Sequence, residues 1–229
     1  MIKIKNIIIF VGGKGSRLGK ITKKIPKPLI KFHGKSFLDY QLNNLKKLKP
    51  NKIILLCGYK TNFFEKKYAN KNFDNIKLVC IKEKKLLGTG GSLENSKKYI
   101  INNTLLCNGD TFFDYDFTKI KNIKFREILL FLIKNKNYKT NKKLANLSLN
   151  KTIVQYNYKS NLMNSGFYLI SKNFKKYLKK GKNSLENDVI KNMINQKKIE
   201  GKVLAGNHID IGTHKNLKYF KKFSKKLNS

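Results

Sequence analysis

The sequence predicts an α/β fold: a mostly parallel sheet with helices on both faces. Three observations carry that expectation. Short apolar runs of strand length alternate with segments of helical spacing through the first half of the chain. Glycine-rich turns follow the first apolar run and recur at residues 88–91. The 229 residues, 40% of them hydrophobic, are enough to bury one sizeable core, and no linker or internal repeat divides them.

Taken in order, residues 5–11 (KNIIIFV) read as the first strand. Residues 37–48 carry Phe37, Leu38, Leu42, Leu45 and Leu48 at helical spacing. A second strand is expected at 52–57, closed by Gly58, and a helix at 61–69 with Thr61 as its N-cap. A third strand (77–81), the glycine turn at 88–91, a helix to Tyr99 and a fourth strand (104–107) ending in "NGD" complete a βαβαβαβ run. The second half is less regular. Strands are expected at 127–133, 166–170, 202–204 and 208–211, with a hairpin of 144–149 and 152–156 turning through Asn150 and Lys151. Residues 174–178 and 185–194 read as helices, and 213–227 as a basic amphipathic helix with Leu217, Phe220 and Phe223 on one side. Packing of that face on the domain is preferred to contact with a membrane.

The formal charge is +38, from 51 basic and 13 acidic residues. Such an excess ordinarily points to nucleic acid or an anionic membrane. Here only Arg17 and Arg126 are arginines, and the lysines are spread along the whole chain with abundant Asn and Ile. Those three residue types share AT-rich codons, so neither a nucleic-acid nor a membrane partner is expected, although polyanionic small molecules would be drawn in. No apolar run reaches the length of a membrane span, and the start reads as a strand rather than a signal peptide. Cys57, Cys80 and Cys107 lie in or beside apolar runs without metal-like spacing, which fits free buried thiols in a reducing cytoplasm.

The loop after the first strand, "FVGGKGSRLGKITKKIPKPLI", concentrates glycines and cations at the carboxyl end of a buried strand, where open α/β sheets bind ligands. It is not G-x-x-x-x-G-K-[ST]. Nor is it G-x-G-x-x-G, since the third glycine position falls on Leu18. What remains is G-G-x-G-S-R-L with P-K-P beginning nine residues beyond the arginine. Glycines let backbone N–H groups approach an anion, Arg17 offers a phosphate fork, and Lys27 is a point charge held between Pro26 and Pro28. Asp110 in "NGD" and Asp210 in "IDIG" stand at strand ends beside Gly109 and Gly212, two of only 13 acidic residues. Alternation puts Asp210 on the face of His208.

These residues resemble a known family. "VGGKGSRLGKITKKIPKPLIKFHGKSFLDY" is similar to the N-terminal signature of the sugar-1-phosphate nucleotidyltransferases. The resemblance continues in order through "LLGTGGSL" (86–93), "LLCNGDTFFDYD" (105–116), "MNSGFYLI" (163–170), "SLENDVI" (184–190) and "HIDIGTHKNL" (208–217), covering essentially the whole chain. Within the family the sequence looks most like the bacterial D-glycero-α-D-manno-heptose 1-phosphate guanylyltransferases. The resemblance implies a Rossmann-like (GT-A-like) mixed, mostly parallel sheet without a C-terminal β-helix. A single domain is expected, its nucleotide-binding half at about 1–115 and its sugar-phosphate half at about 116–229.

The implied reaction joins a nucleoside triphosphate to a sugar 1-phosphate and releases pyrophosphate, with Mg²⁺ held by Asp110 and Asp210. Arg17 and Lys27 would bind the triphosphate and the transition-state charge. Gly12, Gly13 and Gly15 would contact nucleotide, and Gly88, Thr89 and Gly90 would lie against base and ribose. Glu83 matches an acidic position of the guanylyl-type relatives, and its carboxylate can accept from guanine N1–H and the exocyclic amine, so GTP is favoured. Asn164 and Gly166 match a motif lining the sugar site, and Lys159 matches a sugar-phosphate lysine. Here the sequence departs: Tyr158 stands where the family has a glutamate. Asp114 and Glu186 fall in matched motifs without an evident physical role. Alternatives are another base (UTP or CTP), a hexose 1-phosphate or phosphocholine as acceptor, a non-catalytic sugar-nucleotide sensor, or a charge-driven binder of nucleic acid or membrane. The expected setting is cytoplasmic synthesis of an activated sugar for lipopolysaccharide or capsule, by a monomer or homodimer.

Overall fold

The computed structural model of the protein describes residues 3–120, 123–135 and 146–227. It opens with β1 (Asn6–Phe10), followed by the glycine loop, a 3₁₀ turn at Ser16–Leu18 and the short helix α1 (Lys20–Lys24). A small hairpin of β2 (Lys31–Phe32) and β3 (Lys35–Ser36) leads into α2 (Phe37–Leu45). A capping box starts α2: Ser36 Oγ accepts from the Asp39 N–H, and the Asp39 carboxylate accepts from the Ser36 N–H. Next come β4 (Lys52–Cys57), α3 (Thr61–Tyr68), β5 (Asn72–Phe73), β6 (Ile76–Lys82), α4 (Gly88–Asn95) and β7 (Thr104–Asn108). The second half holds β8 (Thr111–Phe113), β9 (Ile128–Lys134), β10 (Leu147–Asn150), β11 (Ile153–Tyr156) and β12 (Leu162–Ile170). A π-helical turn (Leu185–Ile190), α5 (Lys191–Asn195), β13 (Glu200–Val203), β14 (His208–Asp210) and α6 (His214–Lys225) finish it.

Among the described residues the main sheet has ten strands in the order β10-β11-β13-β9-β12-β7-β1-β4-β6-β5. The centre, β7-β1-β4-β6, is parallel, while β12 runs antiparallel between β7 and β9. The mixed sheet expected from the sequence is what forms, parallel through its centre with antiparallel pairings around it. Because successive side chains of a strand alternate faces, Ile7 and Ile9 enter one core with Leu38, Leu42, Phe64 and Tyr68 of α2 and α3. Ile8 enters the other, with Leu93 of α4 and Val189 and Met193 near the π-turn. Each fully buried isoleucine contributes roughly 1.5–3 kcal/mol, so this strand is held in register from both sides. The amphipathic α6 buries Leu217 and Phe220, and the Phe220 ring lies 4.6 Å from Phe37 and 4.9 Å from Phe32.

Several expectations are corrected. Thr61 is the first residue of α3 rather than its cap; Lys60 caps it in a left-handed conformation (φ 53°), and the Thr61 hydroxyl donates to Cys57 and Gly58 carbonyls. Residues 88–91 are the first turn of α4 itself, not a turn before a helix. The segment expected as a helix at 174–178 is a 3₁₀ stretch, Lys172–Tyr177. The hairpin turns through Lys151 and Thr152, one residue later than expected, and its residues 144 and 145 lie outside the described residues. Cys57 and Cys107 are buried, as expected, but Cys80 is only half-buried. The strands β2, β3 and β8 have no alternating signature; at two or three residues a strand is too short to show a period.

Candidate active site

The parallel strands β1, β4, β6 and β7 point their carboxyl ends to one edge, and the order reverses between β1 and β7. A cleft of about 220 Å³ opens at that switch point, the place where open α/β sheets bind ligands. Its walls are Phe10, Val11, Gly13 and Gly15 of the first loop, Lys27 and Pro28, Thr89, Asn108 and Asp110, and Glu186. A larger hollow, about 530 Å³, lies near the opposite ends of the strands among residues 46–50 and 74–76 and touches none of the expected site residues.

The loop reaches the cleft for specific steric reasons. Gly12 packs on Gly58: a Cβ there would lie 2.6 Å from the Gly58 nitrogen. Gly13 has open space where a Cβ would be, so its backbone is free to meet a ligand. Gly15 adopts φ +64° over the Lys27 stem, and a Cβ would come within 3.2 Å of Lys27 Cε. Lys27 is 6% exposed, and its Nζ donates to Asp110 Oδ2 at 2.7 Å. A lysine this buried needs its partner, since an unpaired ammonium out of water is costly.

Asp110 and Asp210 come together from strands that are far apart in sequence. β14 pairs antiparallel with β8, placing Asp210 opposite Thr111, and the Ile211 N–H donates to the Asp110 carbonyl at 3.0 Å. Burial pushes the Asp210 carboxyl above its ordinary range and the neighbouring Asp110 pushes the same way, against Lys27, the Gly212 N–H and Arg17. Arg17 is exposed but lies against Gly212, its guanidinium 2.9 Å from where a Gly212 Cβ would stand. Lys27 thus pairs with Asp110, while Arg17 and Asp210 both lie against Gly212. His208 shares the face of Asp210, burial holds it below its ordinary range, and its Nε2–H donates to the Ser165 carbonyl at 2.8 Å. Among the described residues no three His, Cys, Asp or Glu side chains gather as a metal cage. Two mutually repelling carboxylates beside the cleft do suit a hard divalent ion, which takes one or two carboxylates and completes its shell with other oxygens and water.

The second glycine turn behaves differently from its expected contact with base and ribose. Gly88 (φ +73°) and Gly90 leave room for Asn183, whose carbonyl accepts the Gly90 N–H at 3.1 Å. Of the three residues only Thr89 lines the cleft; its hydroxyl donates to Glu186 Oε2 at 2.7 Å and accepts from the Leu185 N–H at 2.9 Å. Glu83 stands at the end of β6, its Oε2 taking the Leu87 N–H at 3.4 Å and lying 3.0 Å from where a Gly58 Cβ would be, next to the first loop.

Asn164 and Gly166 sit where the β12–β9 pairing shifts register. The Asn164 amide donates to Tyr168 Oη at 2.7 Å, and its oxygen accepts the Gly166 N–H at 2.8 Å. Gly166 (φ +75°) lies on the Asn108 side chain, which lines the cleft; a Cβ would be 2.6 Å from Asn108 Nδ2. The pair thus backs the cleft rather than lining it. Lys159 is exposed in the turn after β11, outside the cleft lining, and its backbone N–H donates to Asn157 Oδ1. Glu186 had no role in the sequence, and here it is a cleft carboxylate. Its neighbour Tyr168 is held protonated, chiefly by burial and then by the Glu186 charge. The signal available was the scarcity of acids in so basic a chain. Asp114 instead closes a loop, its carboxylate accepting the Asn207 N–H and side-chain amide.

The nucleotidyl transferase family model matches residues 6–226, and the chain belongs to that family. It is a nucleotidyltransferase, and relatives it resembles include enzymes named for heptose 1-phosphate and mannose 1-phosphate. It is 36% identical over 169 residues to a D-glycero-α-D-manno-heptose 1-phosphate guanylyltransferase of Campylobacter jejuni, covering 72% of this chain and 75% of that one. It is 29% identical over 215 residues to the bifunctional protein GlmU of Methanocaldococcus jannaschii, covering 90% of this chain but only 50% of that longer relative. Among solved structures, HddC from Yersinia pseudotuberculosis superposes with a TM-score of 0.79 at 26% identity, over 96% of this chain and 99% of that one.

Proposed function

We propose that the protein transfers a nucleotidyl group from GTP to a sugar 1-phosphate, heptose 1-phosphate by preference, giving a GDP-sugar and pyrophosphate. The observation that carries the reading is the buried Lys27–Asp110 pair at the β1/β7 switch point, with Arg17 brought beside Asp210. Kinship supports the base and the sugar. The Campylobacter relative is named for heptose 1-phosphate and guanylyl transfer, and HddC has been crystallised with GMP-PN. Glu83 next to the first loop is a fitting acceptor for the guanine edge.

The acceptor phosphate is ionised near neutral pH, so the chain needs no general base. Its task is to hold two anions in line and offset their repulsion. Gly13 and Gly15 present backbone to the polyphosphate, Lys27 supplies a fixed cation, and Arg17 can fork two phosphate oxygens. Asp110 and Asp210 would hold Mg²⁺, which when bound neutralises phosphate charge and polarises the reacting phosphorus. Glu186 would repel a phosphate, so its place in the cleft suits a hydroxyl donor, and Asn164 orders that wall through Tyr168. Lys159, matched only by resemblance, stands exposed outside the cleft lining. The two halves, about 1–115 and 116–229, act as one domain in the cytoplasm.

The test is pyrophosphate release from four nucleoside triphosphates crossed with a panel of sugar 1-phosphates in Mg²⁺. GTP with a heptose 1-phosphate should give the highest kcat/KM, and Asp110→Asn should abolish it. Tight nucleotide binding without pyrophosphate release from any pair would make the protein a sensor and refute the proposal.

A further inference from the structure

The segment 108–111 holds the loop cation's partner, Asp110, and is anchored by backbone and side-chain bonds on both sides. The Gly109 N–H donates to the Phe10 carbonyl at 2.9 Å, and the Asp110 carbonyl accepts from Ile211. The carbonyls of Asn108 and Thr111 flank Gly109 and Asp110. Both are taken by one side chain, Gln41 of α2, whose Nε2 lies 2.9 Å from the first and 3.1 Å from the second. Gln41 is 2% exposed, among the leucines of the helix's buried side. A primary amide has two N–H donors, and these two carbonyls are its nearest acceptors, with Cys107 Sγ farther off at 3.7 Å.

The same amide is otherwise poorly served. Gln41 Oε1 is buried and has no hydrogen-bond partner. An orphaned buried acceptor is destabilising, so a purely apolar residue would pack this position better. What such a residue could not do is donate twice to the backbone on either side of Asp110. The capping box fixes α2 at its start, and Asn44, one turn on, donates to the Phe113 carbonyl at 2.7 Å. On the other side Gly109 is pressed against β1, where a Cβ would lie 2.8 Å from the Phe10 carbonyl oxygen. The turn is clamped from two directions, and Gln41 is the clamp on the helix side.

We infer that Gln41 is a positioning residue for divalent-cation binding: its double donation fixes the backbone that aims Asp110 at the cation shared with Asp210. The inference rests on the reading of Asp110 given above. The test measures Mn²⁺ affinity by electron paramagnetic resonance for the enzyme with α,β-methylene-GTP, alongside thermal melting and the Mg²⁺ activation curve. Gln41→Met keeps the volume and removes both donors. It should weaken Mn²⁺ binding by about tenfold and shift the Mg²⁺ curve equally, as loss of a ligand's supporting partner does, with KM for GTP unchanged at saturating metal. Asn44→Ala is the control; it should lower the melting temperature and leave Mn²⁺ affinity within about twofold. Should Gln41→Met not fold, Gln41→Asn retracts the amide by about 1.5 Å and must show the same loss. Unchanged Mn²⁺ affinity in the Gln41 variant, or an equal loss in Asn44→Ala, overturns the inference alone. A wild-type complex that binds no Mn²⁺ overturns the metal reading of Asp110 and this inference with it.

Discussion

Replacing Lys27 by Met tests whether the cleft is built around a buried ion pair. At 2.7 Å the two charges attract by about 6 kcal/mol at an effective dielectric constant of 20, most of it offset by desolvation. The side chains are 8% and 30% exposed, so water reaches the aspartate but scarcely the lysine. Removing a fully buried partner costs roughly 3–5 kcal/mol, and the access of water to Asp110 lowers the expectation to about 2 kcal/mol. For a chain of this size that corresponds to a fall of about 4–8 °C in Tm. Asp110→Asn should cost at least as much, because it leaves the better-buried ammonium without its partner. The double variant Lys27→Met/Asp110→Asn removes both charges and should be more stable than the sum of the single losses implies, with a coupling of about 1–3 kcal/mol. Differential scanning fluorimetry at several salt concentrations reads all four proteins. Losses that simply add, or single variants melting within a degree of wild type, would refute the argument that the pair organises the site.

Further outcomes follow from the glycines, the base contact and the α2 cap. Gly12→Ala places a methyl 2.6 Å from the Gly58 backbone and should cost about 2 kcal/mol, whereas Gly13→Ala has open space and should keep its Tm while raising KM for GTP. Equal melting of the two variants would show that the loop is free to shift. Glu83→Gln should lower the GTP/ATP ratio of kcat/KM by about tenfold, and an unchanged ratio removes Glu83 from base selection. Burial pushes the Asp39 carboxyl up, but hydrogen bonds from Lys67, Tyr68 and Ser36 outweigh it and hold it below the ordinary 3.8. A depressed folded pKa contributes stability that is present above the unfolded value and lost as pH falls through the folded one. Asp39→Asn should therefore be less stable than wild type by about 1 kcal/mol at pH 7, with the gap closing as the pH falls below the ordinary carboxylate range. A gap of constant size across that range in urea melts would contradict the assignment.

Much of this molecule is legible along the chain because its causes are local. A strand buried on both faces must be apolar at consecutive positions, as "NIIIF" is, and the helices between strands show their buried side by spacing. The loop at 12–28 reads as a candidate anion site through residue types that lie side by side. What spacing cannot show is which distant group completes it. Lys27 meets Asp110 across 83 residues, and Thr89 meets Glu186 across 97. Those meetings follow from strand order, which no local period encodes. The second glycine cluster illustrates the limit: "GTGG" reads as a ligand turn, yet Gly88, Gly90 and Gly91 make room for the 181–183 backbone and the Asn183 side chain. Gln41 is a further case, since one polar residue on an apolar helix face carries no periodic signal of its two backbone partners. The sequence by itself determined the layered fold and the cationic half of the candidate site, because both depend on residue chemistry at short range. Only the tertiary structure decided where the carboxylates stand, which glycines face open space, and which amide clamps Asp110, because those depend on strands brought together from opposite ends of the chain.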